Sequence, residues 1–285
     1  MFATGSENLG PHQWRILARR IEELTADSEV DGVVVTHGTD TIEEAAFFLE
    51  LVCKSGKPVV LTAAMRPSTA LSADGPANLF QAVLAATSPQ LQSHGLLVVM
   101  NGLVIPGWQI IKTDSVALDS FHAYPGGPIG KIVGESLLVF GSPNLSPLVG
   151  RFHDHLRNDD ELPFVDIVLL RGGCGDQPLA DFGENACKGL VVAGFGSGTM
   201  PDNLTGLVAE TASSGCTVVV SSRVSRVTVL AETMTSVNSK NVFPSGFLNP
   251  QKSALLLSLA LDANLDALEL AELFRIKKTK AVLSF

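Results

Sequence analysis

The 285-residue chain is short of the features that would place it outside ordinary globular proteins. Its four cysteines, Cys53, Cys174, Cys187 and Cys216, form no CxxC pair and have no regular spacing. That argues against both a zinc site and a disulfide framework, and they read as small core residues. Basic side chains are outnumbered, with a formal net charge of −9, and they are scattered. There is no footprint for nucleic acid and no polybasic patch for a membrane surface. No apolar run is long enough to span a bilayer. The opening residues, Met1 Phe2 Ala3 Thr4 Gly5, lack the basic and apolar regions of a secretory signal, so cytoplasm is the expected compartment. Periplasm is the alternative if a leader belongs upstream.

What the chain does have is apolar content, 46% of residues, enough for a sizeable core in two domains. Strand and helix patterns alternate at crossover spacing. Helices are expected at about 11–25, 41–53 and 76–87, and strands at about 30–36, 59–63 and 95–100. Such units are right-handed and build a mostly parallel sheet with helices on both faces. A hairpin turned at Pro106 Gly107 is expected to run from Val104 to Lys112. After it, Gly141 Ser142 Pro143 Asn144, Ser146 Pro147 and a charged run ending near Pro163 have linker composition. A second alternation follows, with strands at about 165–170, 189–194 and 217–221 and helices at about 202–214, 250–261 and 264–274. The fold class is therefore α/β: a larger N-terminal domain at about 1–141, a linker at about 142–163, and a smaller parallel C-terminal α/β domain at about 164–285.

The most informative stretch joins Val33 Val34 Val35 to Thr36 His37 Gly38 Thr39 Asp40 Thr41, then to Glu43 Glu44 Ala45 Ala46 Phe47 Phe48. A β-branched run that breaks at a glycine and resumes with helical spacing is a buried strand feeding the first turn of a helix. Ligands of open α/β sheets gather at such strand ends. Unpaired amides and the helix dipole meet there, so a carboxylate finds donors and Gly38 lets it approach. Asp40 would repel a phosphate, so Thr39 and Asp40 read better as nucleophile and cation holder. The competing reading is that one of them simply caps the helix.

Other candidates are open in the same way. Lys112, flanked by Ile110, Ile111 and Val116, is a base if its head is enclosed and otherwise a solvated strand-end lysine. Arg66 is expected to tie its own loop together, and Asp74, before Gly75 Pro76, to cap the next helix. His153 Asp154 His155 invites a metal reading but lacks further ligands. Gly194 Phe195 Gly196 Ser197 Gly198 Thr199, with Arg223 beyond the next strand, resembles half of an NADP fingerprint whose third glycine comes one residue early.

Over essentially its whole length the chain resembles the bacterial-type L-asparaginase and glutaminase-asparaginase family. The resemblance is carried in order by the Val33 to Phe48 stretch, Ala64 Met65 Arg66 Pro67 Ser68 Thr69, Ser72 Ala73 Asp74 Gly75 Pro76, Val98 Val99 Met100 Asn101, Lys112 Thr113, Ser221 Ser222 Arg223 Val224 and Leu248 Asn249 Pro250 Gln251 Lys252. It implies that the side-chain amide of L-asparagine, and of L-glutamine, is hydrolysed through a threonine-dependent acyl-enzyme with no cofactor. It implies a Thr39, Lys112, Asp40 triad. Ser6 would bind the substrate's α-carboxylate and Glu7 its α-amino group, with Gly38, Thr39 and Asp40 completing the substrate site. It also implies a homodimer or homotetramer in which loops cross between subunits, where Thr199 replaces the family's usual asparagine and Met234, with Glu232 nearby, falls at a glutamate position. The family's earlier glycine-rich strand with its first threonine, and the lid tyrosine, are not matched; Tyr124 is the sole tyrosine. The alternative expectation is therefore a catalytically inactive, amino-acid-binding oligomer.

Overall fold

The computed structural model describes residues 2–141, 148–157, 159–176, 179, 188–234, 237 and 239–276. Two compact units divide it, Met1–Glu161 and Leu162–Phe285. Among the described residues no helix is long and apolar enough to cross a membrane.

In the first unit, helix α1 (Pro11–Ala26) starts with Pro at its first position, after Gly10, whose amide donates to Gln13 Oε1 at 3.1 Å. It buries Trp14, Leu17, Ala18 and Ile21, a single stripe at helical spacing. Strand β1 (Val33–Thr36), helix α2 (Ile42–Val52), strand β2 (Val59–Thr62), helix α3 (Gly75–Ala86) and strand β3 (Leu96–Met100) follow. β1, β2 and β3 pair in parallel in the register Val33↔Val59↔Leu96. Val60, Leu97 and Val99 pack with Ala82, Ala85 and Ala86 of α3. The alternating residues of the same strands turn to the opposite face, where α2 contacts β3.

The sheet continues antiparallel through β4 (Leu103–Pro106), β7 (Gly130–Val133) and β8 (Ser136–Val139), in the order β1-β2-β3-β4-β7-β8. Because each antiparallel step reverses direction, β7 runs with β1 to β3, so the sheet keeps one predominant direction. The turn that starts the reversal is Asn101-Gly102, with φ of 49° and 74°. Two positive φ values define the two-residue turn whose twist matches a hairpin. The expected hairpin at Pro106 Gly107 is thus displaced. β4 has β3 on one edge and β7 on the other, leaving no edge for residues 110–112. Those form β5 (Ile110–Lys112), which pairs with β6 (Phe121–Ala123) as a separate ribbon. An Asn-Gly pair between apolar runs was the signal for the true turn.

Helix α2 is buried on every side; of its residues only Glu44 is not fully buried. Trp14 of α1 lies over Phe48, ring centroids 5.7 Å apart. Part of the expected linker serves this helix. Gly150 N donates to Glu50 O and Phe152 N to Leu51 O, both at 2.9 Å, so last-turn carbonyls with no partner inside the helix are satisfied. Phe152 and Leu156 are buried alongside. Residues 148–157 therefore pack into the first unit despite their polar composition.

The second unit holds β9 (Val165–Leu169), β10 (Gly189–Gly194), β11 (Thr217–Ser222) and β12 (Val242–Pro244), all parallel in the order β12-β11-β10-β9. Its helices are α4 (Asp202–Ser213), α5 (Pro250–Asp262) and α6 (Ala267–Leu273). β12 is a strand the apolar pattern does not announce. Leu204, Val208 and Ala212 of α4 share a core with Leu190, Val192, Val218 and Val220, while α5 contacts β9, β10 and β11. Among the described residues these strands follow in sequential order, which gives the sheet no topological switch point. Cys53, Cys174 and Cys216 are buried; Cys187 lies outside the described residues.

Phe48 is fully buried, so Phe48→Ala is expected to cost about 3–5 kcal/mol through lost apolar contact and the cavity left behind. Urea unfolding of the variant followed by tryptophan fluorescence measures it.

Candidate active site

The end of β1 is held before α2 begins. His37 N donates to Thr62 O at 2.9 Å, continuing the parallel ladder by one residue. The chain then turns through Gly38, Thr39 and Asp40. The N-cap of α2 is Thr41, and its hydroxyl donates to Ser6 O at 2.8 Å rather than to the helix. Capping thus claims neither the Thr39 nor the Asp40 side chain.

Ser6, in the short 3₁₀ turn Ser6–Asn8, is buried and braces this turn from beneath. Its Oγ accepts from Asp40 N at 3.2 Å, which leaves the hydroxyl proton to donate elsewhere. A Cβ added at Gly38 would stand 2.5 Å from Ser6 Oγ and 2.8 Å from Ser6 Cβ. The glycine is needed for the approach of Ser6, whereas the sequence suggests only the approach of a ligand.

Lys112, at the end of β5, completes the cluster. Its Nζ lies 3.2 Å from Thr39 Oγ1 and 3.2 Å from Asp40 Oδ1. The Lys112 side chain is 21% exposed and that of Asp40 61%. An ion pair with one partner this wet is worth about 0–1 kcal/mol; its consequence is orientation, not stability. Phe121, cross-strand from Lys112, has its ring centroid 6.0 Å from Nζ, at the limit of cation–π attraction. A hydroxyl, an amine and a carboxylate from two separated segments thus share one hydrogen-bonded cluster. Such a cluster can hold a cation at Asp40 and move a proton to or from the Thr39 hydroxyl.

Of the residues singled out in the sequence, Ser6, Gly38, Thr39, Asp40 and Lys112 come together. The Glu7 carboxylate is turned another way: Oε1 accepts from Asn8 Nδ2 at 3.2 Å and the group folds back over Gly5. Glu43 was missed. It is buried, and its Oε2 accepts from Lys112 N at 2.7 Å. The signal for it is a carboxylate on a largely apolar helix, which buries a second one in Glu50, whose Oε2 accepts from Leu96 N at 2.9 Å.

The neighbouring loop is tied as expected by Arg66, whose Nη1 donates to Ser72 O at 2.9 Å. Asp74 departs from expectation: it stands at the N-cap of α3 but makes no side-chain cap. Its carboxylate accepts instead from Met65 N, Arg66 N and Asn78 Nδ2 at 2.8–2.9 Å. Partial burial pushes its pKa up, and the donors outweigh that and hold it below the ordinary value.

In the second unit the Gly194 loop turns its donors inward. Phe195 N bonds Thr199 O, while Gly198 N and Thr199 N bond Phe195 O, at 2.8–2.9 Å. Arg223 stacks on the Phe195 ring at 4.6 Å. These amides have nothing left for a phosphate. Thr199 and Glu232 are exposed, whereas Met234 enters the core of this unit. His153 Nε2 pairs with Glu22 Oε1 at 3.0 Å.

The chain matches the model of the asparaginase N-terminal domain over residues 1–145 and that of the glutaminase/asparaginase C-terminal domain over residues 164–274. It belongs to the asparaginase family. Among the relatives of this asparaginase-family chain, L-asparaginase 2 of Bacillus subtilis is 38% identical over 257 residues, covering 90% of this chain and 68% of that protein. L-asparaginase 2 of Escherichia coli is 36% identical over 270 residues, covering 95% and 77%. The glutaminase-asparaginase of Acinetobacter glutaminasificans is 35% identical over 271 residues, covering 94% and 82%. A crystal structure described as a probable cytoplasmic L-asparaginase from Campylobacter jejuni superposes with a TM-score of 0.80 at 37% identity, covering 94% of this chain and 85% of that one.

His37 gives the site turn a pH dependence. Burial disfavours its charged form and holds its pKa below 6.5, while the 2.8 Å contact from Nδ1 to Gly38 O opposes the shift. The unfolded chain takes up that proton more readily, so stability present above about pH 6.5 is lost as pH falls below it. The thermal midpoint of the native protein is expected to fall between about pH 6.5 and about pH 5 by more than that of His37→Asn, which keeps a donor for Gly38 O. Paired thermal melts across that range measure the difference.

Proposed function

We propose that this asparaginase-family chain hydrolyses the side-chain amide of L-asparagine, and of L-glutamine with it, to the acid and ammonia. The observation that carries the reading is the Lys112 amine within hydrogen-bond reach of both Thr39 and Asp40. The substrate is a zwitterion. Asp40, exposed on one side, suits its ammonium. The free proton of the Ser6 hydroxyl and the Thr39 amide suit its carboxylate, and Glu7 gives a second negative group for the ammonium once it leaves Asn8.

The amide carbon then faces the Thr39 hydroxyl. In the acyl-enzyme route a threonine oxygen forms an ester with the substrate's acyl group, the C–N bond breaks and ammonia leaves with the transferred proton. Water then cleaves the ester and returns the threonine. Lys112 moves the proton at the Thr39 oxygen. In our reading the active assembly is a homo-oligomer, with Thr199 and Glu232 exposed to reach a neighbouring subunit. Cytoplasmic placement accords with the description of the Campylobacter relative.

Purified protein is expected to release ammonia from L-asparagine. Lys112→Ala should lower kcat by about 10²–10⁴-fold through loss of proton transfer, leaving the circular-dichroism spectrum unchanged. Calorimetry with L-aspartate is run beside the coupled ammonia assay. Heat of binding without ammonia from either amide would replace hydrolysis with the amino-acid-binding reading.

A further inference from the structure

A buried carboxylate is costly unless charge-assisted hydrogen bonds compensate it. Glu43 is 4% exposed, on a helix packed on all sides. Its Oε2 accepts the backbone amide of Lys112 at 2.7 Å. Among the described residues β5 has a strand partner on one edge, through Lys112↔Phe121 to β6, and at Lys112 the amide is taken by Glu43. The same residue is the second of α2, two positions after the Thr41 N-cap and three after Asp40. Within one rigid helical turn, then, the chain carries Thr39 and Asp40 at its entrance and a carboxylate that fixes the backbone of the residue whose amine meets them.

We infer that Glu43 is a positioning residue for the reaction: it sets the distance between the Lys112 amine and the Thr39 hydroxyl. The inference rests on the reading of Lys112 as the group that moves the proton. A residue that only fastened β5 would affect stability. One that meters the Lys112 to Thr39 distance acts on the chemical step, where a misplacement of about 1 Å costs about 10²-fold.

Two variants separate these roles. Glu43→Asp withdraws the acceptor by one methylene, and Glu43→Gln keeps an acceptor oxygen at the same reach. With L-asparagine, Glu43→Asp is expected to lose about 10²-fold in kcat with KM changed by less than about three-fold. Glu43→Gln should recover kcat to within about ten-fold of the native protein, since a neutral acceptor is the weaker one. The second readout does not need turnover: reductive methylation of the native protein with formaldehyde and cyanoborohydride, followed by peptide mass spectrometry at Lys112. Its labelling rate should rise several-fold in Glu43→Asp and stay near the native rate in Glu43→Gln.

Unchanged kcat and unchanged labelling in Glu43→Asp would overturn the inference. So would a Glu43→Gln variant that loses as much as Glu43→Asp, or one whose KM moves with kcat. If Glu43→Asp does not fold, the comparison of Glu43→Gln with the native protein decides by the same limits. If the native protein releases no ammonia, the hydrolytic reading fails by itself, and the labelling rates alone uphold or overturn the positioning role.

Discussion

Moving a helix that is buried on every side exposes apolar surface around its whole circumference, and α2 is such a helix. Every residue but Glu44 is inside. α1 covers one side, the β3 region another, and residues 148–157 close its C-terminal end. Such an element is the most rigid platform a small domain can make, because displacement in any direction costs burial worth about 25 cal/mol per Å². The site is built on its N-terminal turn. That explains why a half-exposed hydroxyl and a mostly exposed carboxylate hold their places: their backbone is anchored even though their heads are wet.

The turn itself is closed by contacts that leave the Thr39 and Asp40 side chains to face Lys112. Thr41 Oγ1 donates to Ser6 O, Ser6 Oγ accepts from Asp40 N, and the Thr62 carbonyl accepts from His37 N. Gly38 lets Ser6 come close enough to do so. Thr39 and Asp40 are then free to face Lys112, which arrives from a ribbon outside the main sheet. Its two-stranded context would make β5 mobile, and the Glu43 carboxylate supplies the missing edge contact.

The second unit serves a different end. Its described strands run in sequential order, and in the glycine-rich loop after β10 the amides of Phe195, Gly198 and Thr199 bond within the loop. What it presents to solvent is a compact, Arg223-stacked loop and the exposed Glu232 turn. The candidate cluster of Thr39, Asp40 and Lys112 lies in the first unit.

The sequence by itself determined the α/β class, the principal strands and helices, and the identity of the turn after β1. These follow from periodicity and turn residues, which act over a few positions. It also pointed to Thr39, Asp40 and Lys112, on residue type and family resemblance. Tertiary structure alone decided which strands became neighbours. β4 filled both its edges, so β5 left the main sheet and the hairpin turn fell at Asn101-Gly102. Tertiary structure also decided that Asp74 binds loop amides instead of capping α3, that a polar-looking segment closes α2, that Glu7 faces Asn8, and that Glu43 reaches Lys112. Each of these depends on which hydrogen-bonding group is left without a partner once the rest has packed. That quantity is a property of the whole assembly of elements, and no local window of the chain contains it.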